Sequence, residues 1–273
     1  MVASGNDFIV IGQSGNRSIR YFKKTAQDIC DRKYGIGADG LLVLEKSMRA
    51  DIRMRIFNSD GSEAKMCGNG ARCIALWLAE KKKKRKSKLK IETRAGIIEA
   101  QVKDSGIKIK LTHPLNIKLD IPIKVNSRYI RVNFINTGVP HAVIFTEGLD
   151  KINIYALARF IRFHKQFAPG GANVNFVEIL NNDSIKIRTY ERGVEDETLA
   201  CGTGSVASAI IFSLKTGITS KIKVQTKGRE VLKVYFDRDN NRFNNVWLEG
   251  SARIVYKGEY YVNEATTYGT KRT

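Results

Sequence analysis

The sequence predicts an α+β protein of two similar halves, each with a mainly antiparallel sheet. Most of the chain alternates between apolar and polar residues or forms short β-rich runs, and only four segments show clear helical periodicity. Strands and single helices do not follow one another in the regular order of βαβ units, which argues against a doubly wound parallel sheet. A motif that returns about half a chain later indicates an internal duplication.

The predicted elements follow from these patterns. The β-rich stretches cover residues 8–11, 41–44, 52–57, 107–111, 129–134, 142–145, 174–179, 185–190, 222–224, 231–236 and 254–256, with a further short strand at 91–93. Helical spacing of apolar residues covers 25–33, 70–82, 155–163 and 204–216. Only four prolines interrupt these elements.

Two landmarks repeat in the same order along the chain. GNDFIV at 5–10 returns in outline as GVPHAV at 138–143, and Cys67 and Cys201 each open a Cys-Gly-polar-Gly turn after a strand and an acidic turn. The copies lie 133 and 134 positions apart, and this near-equal spacing argues for a duplicated domain. We therefore expect residues 1–118 to form a half carrying Cys67 and residues 119–273 a half carrying Cys201, with the last segment able to pack back on the first half.

The chain is strongly basic. Its formal net charge of +20 and pI near 9.9 are typical of nucleic-acid-binding proteins. Much of the charge lies in one run, KKKKRKSKLK at 81–90, directly after an apolar segment. We interpret this run as a solvated turn, since it contains no interleaved aromatic residues and no RNP-like motif. The alternative, nucleic-acid binding, predicts an affinity that falls steeply with salt and survives the loss of both cysteines.

Other classes are excluded by what the sequence lacks. No stretch of about 18 apolar residues exists, and the N-terminus lacks the basic-then-apolar order of a signal peptide, so we expect a cytoplasmic protein. The four cysteines are then reduced, and without a C-x-x-C pair or H-E-x-x-H spacing no metal site is expected. Cys30 and Cys73 fall within helical patterns and are expected to be small buried side chains.

The two Cys-Gly turns carry the candidate chemistry. Gly68 and Gly70 permit a tight turn before an apolar helical run, so Cys67 stands at a helix N-terminus, and Cys201 has the same context. Free N–H groups and the helix dipole at such an end bind a carboxylate and favour a thiolate. If the halves face each other, one thiolate and one thiol can remove and return an α-proton on opposite faces of a carbon. The alternative is that both cysteines are small buried hydrophobic residues.

Six segments occur in the order and spacing of a known family: GNDFIV at 5–10, GIGADGLL at 35–42, FNSDGSEAKMCGNGARC at 57–73, NTGVPHAV at 136–143, GANVNFVE at 171–178 and YERGVEDETLACGTGS at 190–205. With them the chain resembles diaminopimelate epimerase over nearly its whole length. That family interconverts LL-2,6-diaminopimelate and meso-diaminopimelate without a cofactor, on the way to lysine and peptidoglycan. The resemblance implies two similar domains, each a sheet curled around a central helix and carrying one catalytic cysteine. It also implies a homodimer with a small-molecule substrate and neither nucleic acid nor membrane as partner.

The resemblance further implies roles for particular residues. Cys67 and Cys201 are the expected acid/base pair. Backbone N–H groups for the reacting carboxylate are expected from Gly68, Asn69, Gly202 and Thr203. The side chains expected to contact the substrate are Asn6, Asn58, His141, Asn173, Glu191 and Arg192. Arg192 can hold a carboxylate in a fork, whereas Asn6 can instead be a turn residue and His141 a structural histidine.

Two positions depart from the family's pattern, and both concern specificity. Val139 stands where many members have Asn, and Gly40 stands where others have Gln. A racemase of another amino acid, such as histidine, is therefore the alternative, and Arg192 discriminates because a monocarboxylate leaves its guanidinium without a partner. The chain also begins several residues later than members usually do, which suggests a misassigned start or a shorter edge strand. Residues 263–273 are expected to form a polar tail.

Overall fold

The computed structural model describes residues 1–12, 17–84, 86–104, 106–125, 127–219 and 221–261. These residues form a 17-stranded, mostly antiparallel sheet, four α-helices and two short 3₁₀ turns. None of the helices in this part of the chain is long and apolar enough to cross a membrane. The predicted tail at 263–273 lies outside the described residues, as does Arg85 of the basic run.

The elements fall into two series. The first comprises β1 (Val2–Ala3), β2 (Asn6–Gly12), α1 (Ile19–Cys30), β3 (Gly40–Glu45), β4 (Ile52–Asn58), β5 (Glu63–Ala64), α2 (Gly68–Lys81), β6 (Lys86–Thr93), β7 (Gly96–Lys103) and β8 (Gly106–Lys110). The second comprises β9 (Leu115–Val125), β10 (Arg128–Asn136), β11 (Pro140–Phe145), α3 (Ile154–Arg162), β12 (Asn173–Asn181), β13 (Ser184–Glu191), β14 (Asp196–Thr198), α4 (Gly202–Thr216), β15 (Ile222–Gln225), β16 (Val231–Asp239) and β17 (Arg242–Gly250). The 3₁₀ turns are Leu149–Lys151 and Lys165–Phe167.

The two series repeat one topology. In the first, β2 is parallel to β3, β3 is antiparallel to β4, β4 is parallel to β6, and β7 and β8 follow as antiparallel strands. In the second, β11, β12, β13, β15, β16 and β17 pair in the same parallel and antiparallel order. The duplication predicted from the motif spacing is thus confirmed.

The halves are joined edge to edge. We call the antiparallel pairing of β8 with β17 the joint; it places Ile109 opposite Leu248. Two chain segments also cross between the halves. β9 follows β8 and pairs with β10, while Arg253, beyond β17, forms an isolated bridge with Val2 of β1. The division after residue 118, which falls within β9, stays a prediction.

Each half encloses one central helix. Nine of the 14 residues of α2 are buried, and in α4 ten consecutive residues, Gly204 to Ser213, are buried. The sequence of α4 is small or apolar on all faces, which suits a helix surrounded by protein. In contrast, α1 buries only one stripe, formed by Phe22, Ala26, Ile29 and Cys30. The outer helices therefore leave one face exposed, and the central helices position the turns that precede them.

Some predicted boundaries were wrong. The helix expected at 25–33 covers Ile19–Cys30, because the Ser18 hydroxyl accepts from the Tyr21 N–H at its start. It ends early because the Asp31 carboxylate accepts from the N–H groups of Lys33 and Tyr34. The strand expected at 254–256 is not formed. Six strands were not predicted: β1, β5, β7, β9, β14 and β17.

The basic run is only partly a turn. Lys81 ends α2, and β6 begins at Lys86. Within β6, Lys88 and Lys90 are exposed, while Leu89 and Ile91 between and after them are buried. The lysines thus form the solvated face of an amphipathic strand, and the interpretation of the whole run as a turn was wrong.

The burial of α4 generates a stability prediction. Ile210→Ala removes a fully buried side chain from this central helix and is expected to lower the free energy of unfolding by about 2–5 kcal/mol. Ile19→Ala, at a helical isoleucine that is 48% exposed, is the matched control and is expected to change it by at most about 0.5 kcal/mol. Urea denaturation measures both; equal losses would contradict the central position of α4.

Candidate active site

Each Cys-Gly turn places its cysteine at the start of a central helix. Cys67 is the residue before α2, and its Sγ accepts from the Gly70 N–H at 3.5 Å. Cys201 is the residue before α4, and its Sγ lies 3.5 Å from the Thr203 Oγ1. Cys67 is half-buried and Cys201 is 6% exposed. Cys30 and Cys73 are buried away from helix starts, as expected.

The joint brings the two turns together. A Cβ added to Gly68 would lie 3.1 Å from the Cδ1 of Ile109, and one added to Gly202 would lie 3.0 Å from the Cδ2 of Leu248. Ile109 and Leu248 are directly opposed in the joint, where Cα atoms are about 5 Å apart. Both helix N-termini therefore pack against one residue pair of the joint, and a Cβ at either glycine would require the facing side chain to shift by a few tenths of an ångström.

Glu191 connects the two cysteines electrostatically. It ends β13, and its Oε2 accepts from the Thr198 hydroxyl at 3.1 Å. Burial raises the pKa of both cysteines, and the negative charge of Glu191 acts in the same direction on Cys67 and on Cys201. Burial raises the pKa of Glu191 itself, whereas hydrogen bonding with Thr198 and Cys201 acts in the opposite direction.

Burial also decides the protonation of the thiols. It raises the pKa of Cys201 to about 12, and the Glu191 charge adds to the effect. Burial raises the pKa of Cys67 too, against the N–H groups of Gly70 and Asn69 and the positive charge of Arg72. The helix ends were expected to favour a thiolate, but burial outweighs them. Both cysteines are therefore neutral thiols at neutral pH.

An amide pair lies beside Cys67. The Asn69 Nδ2 donates to the Asn6 Oδ1 at 2.5 Å, and the Asn6 Nδ2 donates to the Asp39 Oδ2 at 3.0 Å. Asn69 is only 8% exposed, and its side-chain oxygen accepts from the buried guanidinium of Arg72. These hydrogen bonds determine which end of each amide faces which neighbour.

Asn173 and Arg192 meet in the second half. The Asn173 Oδ1 accepts from the Arg192 N–H at 2.8 Å, and its Nδ2 donates to the Pro140 carbonyl at 3.0 Å. Asn173 is 4% exposed, and the two ends of its amide hold two backbone segments together. These two hydrogen bonds of Asn173 orient the turn that carries Glu191 and Arg192.

His141 lies beneath this turn. It is fully buried, and its Nδ1 accepts from the Asn175 Nδ2 at 3.0 Å, while its Nε2 has no hydrogen-bond partner among the described residues. Burial lowers its pKa to about 3, and the charge of Arg192 contributes. His141 is therefore neutral.

Other predicted residues are less closely linked. Asn58 is exposed, and its Nδ2 donates to the Ser62 hydroxyl of its own turn. The Thr203 carbonyl accepts from the Thr137 hydroxyl at 3.2 Å. Among the described residues, no cluster of three or more His, Cys, Asp or Glu side chains is arranged to hold a metal ion.

Sequence reasoning missed Arg72 and Asn175. Arg72 is 0% exposed and Asn175 is 0% exposed, and each contacts a predicted site residue. A signal for Arg72 was present: a basic residue stands inside the apolar run that follows the first Cys-Gly turn. Asn175 lies in the apolar run of β12 and offered a weaker signal of the same kind.

Comparison with known proteins identifies the family. The family model for diaminopimelate epimerase matches residues 1–114 and 133–255. The chain belongs to the diaminopimelate epimerase family. A diaminopimelate epimerase from Aquifex aeolicus is 41% identical over 93% of this chain and 94% of its own length. One from Archaeoglobus fulgidus is 41% identical over 97% and 96%.

Solved structures share the fold of this diaminopimelate epimerase family member at much lower identity. The phenazine biosynthesis protein of the PhzF family from Bacillus anthracis superposes with a TM-score of 0.68 at 18% identity. The match covers 92% of each chain. It supports a duplicated α+β architecture in which each half encloses a central helix.

The burial of the thiols generates a pH prediction. Iodoacetamide is expected to label Cys67 and Cys201 slowly at neutral pH and faster as the pH rises, for Cys201 toward its pKa of about 12. Glu191→Gln should shift both labelling profiles to lower pH, because it removes a negative charge that disfavours the thiolates. Peptide-resolved mass spectrometry measures each rate. Glu147→Gln, at an exposed glutamate, is the matched control, and labelling that levels off below about pH 8 would contradict the protonation described here.

Proposed function

We propose that the chain epimerises LL-2,6-diaminopimelate to meso-diaminopimelate without a cofactor, in the synthesis of lysine and peptidoglycan precursors. The observation that carries this proposal is the placement of Cys67 and Cys201 at two helix N-termini that meet on the joint, with Glu191 acting on both thiols. One cysteine from each half suits a reaction at two faces of one carbon. Membership of the family supports the substrate.

The reacting carboxylate binds between the helix ends in this proposal. Backbone N–H groups of Gly68, Asn69, Gly202 and Thr203 donate to its oxygens. One cysteine, as thiolate, removes the α-proton, and the electron pair left on the α-carbon delocalises into the carboxylate. The N–H groups stabilise that added charge because they are already oriented toward it. The other thiol then delivers its proton to the opposite face, and inversion results.

One thiol ionises as the substrate enters, and its proton is released to solvent water. Burial keeps both thiols neutral, so a nearby positive charge is needed to favour ionisation. The α-ammonium of an amino acid supplies that charge beside the cysteines, and an opposite charge at close range lowers a thiol pKa. Exclusion of water strengthens this attraction. Glu191, whose charge acts on both thiols, accepts a hydrogen bond from the ammonium.

The second amino-acid head of diaminopimelate is assigned to Arg192 and the neighbouring amides. Asn173 holds the Arg192 backbone, which leaves the guanidinium available for a bidentate carboxylate contact. Asn6 and Asn58 supply amide groups from the first half, and His141 is a neutral neighbour of Arg192. Val139, where many members have Asn, leaves this end with one polar group fewer.

The two-base proposal predicts proton exchange that depends on both cysteines. In heavy water, under reducing conditions and without added cofactor, wild-type protein is expected to incorporate deuterium at the α-carbon of LL-diaminopimelate with inversion. Cys67→Ala and Cys201→Ala should each slow the inversion by about 100-fold or more, because each removes one proton-transfer group. Cys30→Ala, at a cysteine 2% exposed in α1, is the matched control and should retain the wild-type rate.

The same experiment separates the alternative. Exchange with histidine or another amino acid, without exchange of diaminopimelate, would keep the mechanism and replace the substrate. Full activity in either cysteine variant would contradict the two-base mechanism. Mass spectrometry of the α-deuterium and chiral chromatography of the products give the two readouts.

We also propose a homodimer in the cytoplasm, supported by the resemblance to the family and its biosynthetic role. Light scattering of purified protein is expected to give about twice the chain mass of 30.7 kDa. A single-chain mass at micromolar concentration would contradict the dimer.

A further inference from the structure

Arg72 is a buried cation that the proposed reaction does not use. It lies in α2, one turn after Cys67, and is 0% exposed among apolar neighbours such as Cys73 and Ile74. Taking a guanidinium out of water is costly unless its N–H groups and charge are paired. Its partners therefore indicate why the position is basic.

The Arg72 guanidinium joins the two halves. One terminal nitrogen donates to the Asn69 Oδ1 and to the Ser4 Oγ, the latter at 2.6 Å. The other donates to the Ser251 carbonyl at 3.2 Å and lies 3.6 Å from the Glu230 Oε1. Asn69 and Ser4 belong to the first half, whereas Ser251 and Glu230 follow strands of the second. Arg72 is thus fixed from both sides.

Glu230 extends the hydrogen-bond network around the two terminal nitrogens of the guanidinium. Its Oε2 accepts from the Ser4 hydroxyl. Its Oε1 accepts from the Ser251 N–H at 2.9 Å and from the Ser251 hydroxyl at 2.8 Å. Burial favours a higher pKa for Glu230, but these hydrogen bonds and the charge of Arg72 outweigh it and hold the pKa below its usual value, so the carboxylate remains charged. The pair crosses from the central helix of one half to the β15–β16 turn of the other.

The backbone leaves space for this contact. A Cβ added to Gly250, the last residue of β17, would lie 1.7 Å from the Arg72 Nη1. Any side chain at this position would displace the guanidinium. The end of the joint strand is therefore shaped around Arg72.

Asn69 connects Arg72 to the candidate active site. Because Arg72 donates to the Asn69 oxygen, the Asn69 Nδ2 must face the other way, where it donates to Asn6. The Asn6 Nδ2 is then directed to Asp39. The orientation of both amides therefore follows from the position of one guanidinium. Its charge also opposes the rise in the Cys67 pKa.

We infer that Arg72 is a positioning residue: it orients the Asn69–Asn6 amide pair beside Cys67 and ties that pair to Glu230 of the second half. The inference rests on the proposed function for its effect on rate, but its effect on Cys67 does not require a substrate.

Three variants test the inference. Arg72→Met removes the charge and the donors. Arg72→Lys keeps the charge but replaces the planar five-donor fork with one compact ammonium group, and Glu230→Gln removes the charge across the joint. Arg72→Met is expected to lower kcat/KM for α-proton exchange about 100-fold, as misplacement of a binding group does. It should also shift iodoacetamide labelling of Cys67 to higher pH and leave the Cys201 profile in place.

Arg72→Lys should return the Cys67 profile toward wild type while kcat/KM stays low, because charge and geometry act separately. Glu230→Gln should lower kcat/KM and shift the Cys67 labelling profile less than Arg72→Met does. Arg188→Met is the matched control: it removes a guanidinium 7% exposed that pairs with Glu197 within the second half. It should lower the denaturation midpoint without moving the Cys67 profile.

Wild-type kinetics and an unchanged Cys67 profile in Arg72→Met would overturn the inference, whatever the loss of stability. If that variant does not fold, low kcat/KM in Arg72→Lys and Glu230→Gln supports the inference, and wild-type kinetics in both overturns it. If wild-type protein exchanges no amino acid, the proposed function fails. The labelling experiment then tests the inference by itself. A shift of the Cys67 labelling profile in Arg72→Met that Arg72→Lys reverses supports the placement of Arg72. An unshifted profile in Arg72→Met overturns it.

Discussion

The pairing of β8 with β17 is the contact on which the candidate site depends. It sets Ile109 beside Leu248, and each of these side chains supports the glycine that begins one central helix. A slip of one residue in either strand would turn its side chain to the other face of the sheet and separate the helix ends. Two cysteines that lie far apart in the chain thus meet because two edge strands pair in one register.

Bringing the helix ends together has an electrostatic consequence. The close packing that places Cys67 and Cys201 near each other also removes water from them, and burial raises the pKa of both. Helix N–H groups oppose this effect, whereas Glu191 reinforces it. The balance leaves both thiols neutral. The same buried region makes Arg72 effective, since a charge without water acts strongly on its neighbours.

Local signals predicted most elements well where one face of the chain is regularly apolar. They were insufficient in strands that carry left-handed residues. β9 contains Asn116 and Asp120 with positive φ, and its pairing with β10 shifts register, so the alternation of apolar residues is interrupted. β17 has a similar irregularity at Asn245. In β6 the density of lysines conceals the alternation that places Leu89 and Ile91 on the buried face.

The sequence by itself determined the duplication, the two cysteines at helix starts and the resemblance to the diaminopimelate epimerase family. These features depend on repeated motifs and on spacing within a few residues, which a linear reading detects. Tertiary structure decided which groups surround the cysteines: Glu191 acting on both thiols, Arg72 between Asn69 and Glu230, and neutral thiols in place of a thiolate. Those outcomes depend on burial and on contacts between residues more than a hundred positions apart, and local sequence patterns indicate neither of them.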